Sequence, residues 1–82
     1  MDLYSFHRQT TRRRALLLVQ QGMFLATRRK EDFIFSLYYM RTFFAEVWYL
    51  PGEDRLGMVR GFKSVKQLDP FLDDINLEEL LK

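Results

Sequence analysis

Two basic runs hold the side chains with the plainest chemical use in this 82-residue chain: Arg12-Arg13-Arg14 and Arg28-Arg29-Lys30. Cations gathered on one surface recruit phosphate, and arginine's planar fork of donors suits that best. Three successive helical residues sweep about 200° of the wheel, so the first run cannot all face one way. The second run alternates across a strand. With Phe and Tyr nearby, such cations could form a stacking platform for single-stranded nucleic acid. The preferred reading is a solvated face paired with the chain's own acidic end, because no helix-turn-helix, RRM or KH pattern accompanies the arginines.

Other reactive groups are sparse. His7 is the only histidine; a general base needs a positioned partner and a pocket, so a surface or cap position is expected. Ser5 and Ser64 read as caps and Ser36 as a strand residue, and none sits in a Gly-x-Ser-x-Gly elbow. Asp69, Asp73 and Asp74 lack the spacing of an EF-hand loop. The carboxylate pairs Asp73/Asp74 and Glu78/Glu79 would serve glycoside hydrolysis only across a cleft, and on a tail they are solubilising. Four glycines form no phosphate loop, and the absence of cysteine excludes disulfides and thiolate sites. No enzymatic activity, cofactor or metal is expected.

The composition is 48% apolar, 16% aromatic and 29% charged, which fits a folded chain and argues against disorder. The length allows one domain over residues 1–82. The net charge of +2 hides an asymmetry: residues 1–30 carry +6, residues 31–63 carry −1 and residues 64–82 carry −3. Such a chain can neutralise itself. No apolar run approaches the roughly 20 residues of a membrane span. Met1-Asp2-Leu3-Tyr4 also lacks a signal-peptide layout. A cytoplasmic location without membrane association is expected.

The elements follow from periodicity. Ser5 to Gln21 reads as one helix, capped by Ser5 or Thr10 and closed by a left-handed Gly22, with Ala15, Leu18 and Val19 on its inner stripe. From Met23 the period changes to 2. Strands are expected at Phe24–Arg29, Asp32–Tyr39, Phe43–Leu50 and Leu56–Lys63, rich in aromatic and β-branched residues. Their links are Lys30-Glu31, Met40-Arg41-Thr42 and a Pro51-Gly52 turn, short enough for an antiparallel meander. Ser64 to Gln67 reads as a capping box, Asp69-Pro70 as a cap with proline at the first helical position, and Asn76 as a further cap, giving short terminal helices. The fold class is α+β: an N-terminal helix, a four-stranded antiparallel meander and short C-terminal helices.

A three-residue loop at Met40–Thr42 pairs Leu37 with Ala45 and makes one sheet face wholly apolar. A two-residue loop is disfavoured because it sets Glu46 opposite Leu37. On the preferred register the second face carries Ile34, Tyr38, Phe44, Trp48, Met58 and Phe62 beside Ser36, Glu46 and Arg60, with Glu46 and Arg60 placed to pair. That face is too apolar to stay wet. Either the C-terminal segment covers it, or those six residues form an interface anchored by Trp48 and Tyr38.

A helix followed by an antiparallel sheet with basic residues resembles the RelE/ParE toxins, small ribosome-dependent nucleases or gyrase inhibitors. That likeness is topological only. Those toxins end in a strand bearing basic or catalytic groups, whereas this chain ends acidic and leucine-rich, and Val59-Arg60-Gly61-Phe62 matches loosely, so no residue transfers. The stretch Phe44-Ala45-Glu46-Val47-Trp48-Tyr49, with Asp69-Pro70-Phe71-Leu72 further on, is similar to short uncharacterised bacterial proteins, which implies a compact bacterial domain. The expected role is protein–protein interaction, including a homodimer through the apolar sheet face. The alternative is phosphate-backbone binding to nucleic acid through Arg12, Arg13, Arg14, Arg28, Arg29 and Lys30, and third a toxin-like nuclease.

Overall fold

The structure, a computed structural model, describes residues 1–50, 52, 56–64, 66, 68 and 71. Two helices, α1 (Leu3–His7) and α2 (Thr11–Gln21), precede four strands: β1 (Met23–Lys30), β2 (Phe33–Tyr39), β3 (Phe44–Tyr49) and β4 (Leu56–Phe62). The strands form one antiparallel sheet in the order β1-β2-β3-β4, the expected meander. Lys66, Leu68 and Phe71 lie in 3₁₀ turns beyond it. The expected caps at Asp69-Pro70 and Asn76 lie outside the described residues.

The single expected helix is two. Asp2, not Ser5, caps α1: its carboxylate accepts the Ser5 N–H at 2.8 Å. Thr10 then adopts extended backbone and caps α2, accepting the Arg13 N–H at 3.1 Å. Each cap satisfies a donor that a helix start leaves orphaned. The break lets Phe6 of α1 and Leu17 and Leu18 of α2 enter one core with Met40, Phe43, Ala45, Val47 and Val59. The inward stripe of α2 is therefore Arg14, Leu17 and Leu18 at helical spacing. Val19, expected inside, is 75% exposed.

Gly22 ends α2, but with φ −88° rather than left-handed. What requires glycine there is space. A Cβ would stand 2.7 Å from the Leu18 carbonyl oxygen and 2.9 Å from the Met40 sulfur.

The hairpins also differ from expectation. Lys30 pairs with Phe33 across a two-residue turn, Glu31-Asp32, with Glu31 at φ 57°. The β2–β3 turn is likewise two residues, Arg41-Thr42, with Arg41 at φ 75° and the Met40 N–H donating to the Phe43 carbonyl at 2.9 Å. The register is thus the disfavoured one, with Leu37 opposite Glu46 and Phe35 opposite Trp48. One residue of slip flips one strand's faces relative to its partner's. The helix-covered face carries Tyr38, Ala45, Val47, Tyr49 and Val59. The opposite face carries Phe33, Phe35, Leu37 and Tyr39 with Phe44, Glu46, Trp48, Met58, Arg60 and Phe62. Leu68 and Phe71 are buried in the cluster formed on that second face.

Candidate functional site

The buried carboxylate that argued against this register is what organises the second face. Glu46 is 4% exposed, and its Oε1 accepts from Trp48 Nε1 at 2.7 Å and from Arg60 Nε at 3.0 Å. Trp48 is two residues along the same strand, hence on the same face, and Arg60 is the cross-strand partner on β4. Two donors, one of them charged, offset the desolvation of the carboxylate. The expected Glu46–Arg60 pair is therefore present.

Beside this pair lies a hollow of about 290 Å³ lined by Arg28, Lys30, Arg60 and Lys66, with Phe35, Trp48 and Phe71 among its walls. Arg28 is held by rings. Its guanidinium carbon lies 4.6 Å from the Phe35 ring centre and 5.4 Å from that of Phe71. Its Nε is buried without a hydrogen-bond partner. Trp48 meets Phe35 edge-on at 4.8 Å, and Arg60 lies 5.9 Å over the Trp48 ring. Among the described residues that line it, one carboxylate, Glu46, stands against these four cations, and it already accepts from Arg60 and Trp48.

The basic runs divide among different surroundings. Arg12 and Arg13 are exposed on α2. Arg14 is drawn inward, donating through Nε to the Phe6 carbonyl at 3.2 Å and through its terminal nitrogens to Val59 at 2.9 Å and to the His7 carbonyl. It satisfies the last carbonyls of α1 and clamps that helix to β4. Of the second run, Arg28 and Lys30 line the hollow, whereas Arg29 lines a separate depression with Glu31, Asp32 and Leu50.

The six expected interface residues also divide. Phe44, Trp48, Met58 and Phe62 share the hollow's face, but Ile34 and Tyr38 lie on the other, because of the register. Phe44 and Phe62 are buried at 7% and 5% exposure, and Met58 is 45% exposed. Tyr38 packs edge-on against Phe24 at 5.7 Å, and burial, with a smaller effect of Tyr49, pushes its phenol upward.

Other apolar side chains stand open. Leu16 and Val19 on α2 and Met23 and Phe24 at the start of β1 are 44% to 75% exposed. A sequence signal existed: Leu16-Leu17-Leu18-Val19 is four apolar residues in succession, sweeping about 300° of a helix, so one core cannot bury them all.

His7 is exposed in α1, and its Nε2 accepts the Gly61 N–H at 3.0 Å, which ties α1 to β4. Among the described residues, no group of three or more His, Asp or Glu side chains could hold a metal ion, and no helix is long and apolar enough to cross a membrane. No family model, curated protein or solved structure matches this chain.

Proposed function

We propose that this chain is a non-enzymatic interaction domain that self-associates, and that the surface it uses is the outer edge of β1 at Met23 and Phe24, with Leu16 and Val19 exposed on the helix that leads into it. The observation that carries this reading is the exposure of four large apolar side chains in one stretch of chain, with Val19 at 75%. Exposed apolar patches of this kind are characteristic of contact surfaces. The occupant is a second copy. β1 is apolar in its first half and basic at Arg28-Arg29-Lys30. An antiparallel twofold arrangement whose axis passes through the apolar half sets the apolar halves together and keeps the basic halves apart.

Light scattering over a range of protein concentration tests this. The expected result is a mass that rises towards a dimer, falls to a monomer in Val19→Glu, and is unchanged in Met58→Gln on the opposite face. A monomer at every concentration would overturn the reading. So would a dimer that survives Val19→Glu and is lost in Met58→Gln, which would point to the other sheet face.

A further inference from the structure

The hollow on the second sheet face is independent of the self-association edge, and its composition is specific. Among the described residues, Arg28 is held by the Phe35 and Phe71 rings, and its buried Nε has no hydrogen-bond partner. Lys30, Arg60 and Lys66 surround the same space, and among the described residues Glu46 offsets one of the four. Four cations converging on about 290 Å³ favour one compact, multiply charged anion over a string of separate carboxylates. Trp48, with Arg60 over its ring and Phe35 edge-on, is half-buried in the wall and lines the hollow with an aromatic side chain, the type on which planar rings stack.

We propose that this hollow binds a nucleoside phosphate, with Arg28, Lys30 and Lys66 around the phosphate and Trp48 against the base. A free nucleotide and one nucleotide unit of a single strand offer the same chemistry. The site excludes four of the six basic groups that the sequence alone suggests: Arg12 and Arg13 lie on α2, Arg14 is committed to main-chain carbonyls, and Arg29 lines another depression.

Trp48 is the only tryptophan, so its emission reports on the hollow directly. The full chain is titrated with adenosine monophosphate, with a short single-stranded oligoadenylate, with adenosine and with inorganic phosphate. The expected result is saturable quenching by the two phosphorylated adenine ligands, at least tenfold weaker binding of adenosine, and competition by phosphate. A strand that binds more than tenfold tighter than the mononucleotide identifies the strand as the source, and equal affinities identify the free nucleotide. The double variant Lys30→Gln/Lys66→Gln, whose side chains are exposed, is expected to weaken binding at least tenfold. Arg28→Lys keeps the charge but loses the fork and ring stacking, and is expected to weaken it further. Arg12→Gln/Arg13→Gln is expected to change affinity less than twofold. No saturable response to any phosphorylated ligand would overturn the proposal, as would equal losses in the two double variants. Competition by an acidic peptide as strong as that by the nucleotide would overturn it too, and would mark the hollow as a protein-binding site.

Discussion

The two edges of the sheet are treated differently. On β4, the outward Val59 carbonyl is taken by Arg14 and the outward Gly61 N–H by His7, so the helices close that edge with side chains. On β1, among the described residues, no comparable bond reaches the outer edge, and apolar Met23 and Phe24 begin the strand. Unpaired strand edges are templates for pairing with another chain unless something blunts them. Here the blunting on β1 is confined to its basic second half. An edge is thus made available or unavailable by which residues the neighbouring helix directs at it, and α2 directs Arg14 at β4 but Leu16 and Val19 at solvent.

The sharpest way to break this contrast is to open β4. Arg14→Ala removes all three main-chain contacts and leaves the Phe6, His7 and Val59 carbonyls to find water. A loss of about 2–3 kcal/mol in urea unfolding is expected, since hydrogen bonds to charged groups are among the stronger ones. Arg14→Lys is expected to recover less than half, because one ammonium cannot reproduce the fork. A smaller effect is expected of Gly61→Ala on the same edge. Its Cβ would press on Leu3 Cδ1 and lie 3.2 Å from the Phe43 ring, but the Leu3 methyl ends a flexible side chain and can move, so a cost of about 1 kcal/mol is expected in the same assay. Gly61→Val adds two further methyls beside the Phe43 ring and is expected to lift α1 from the sheet.

The smallest effect concerns α1, the helix that brings His7 to the β4 edge. The Ser5 N–H bond to Asp2 holds that carboxyl below its ordinary value of 3.8. A carboxyl lowered on folding contributes stability that is present above its unfolded pKa and lost as pH falls through the folded one. Asp2→Asn, which also caps, is expected to remain close to the parent in thermal stability at neutral pH and to flatten its acid dependence below about pH 4. A parent and variant with identical acid profiles would contradict this role for Asp2.

Much of the architecture was legible from residue patterning. Alternating aromatic and β-branched runs placed all four strands, and opposite charges at Glu46 and Arg60 foretold their pairing. The hairpin register was not legible, for two physical reasons. Arg41 occupies a positive φ without being Gly or Asn, so its turn carries no residue signal. Glu46 opposite Leu37 looked unfavourable until Trp48 and Arg60 supplied two donors, a compensation that exists only after folding. That single slip moved Ile34 and Tyr38 away from Phe44 and Trp48. The hollow escaped for the same reason: Phe35 and Trp48 meet in one wall only on the register that forms. The helix break is written in Thr10: its residue type suits a cap, and with a second cap at Asp2 it starts a second helix rather than offering an alternative start to one.

Amide hydrogen exchange at low and high protein concentration, read residue by residue, tests the contrast between the edges most directly. The Gly61 amide is expected to be protected equally at both concentrations, because its acceptor belongs to the same chain. Amides in the first half of β1 are expected to exchange fast in dilute solution and to gain protection as concentration rises. Protection on β1 that does not depend on concentration, or a concentration-dependent gain on β4 instead, would contradict the account.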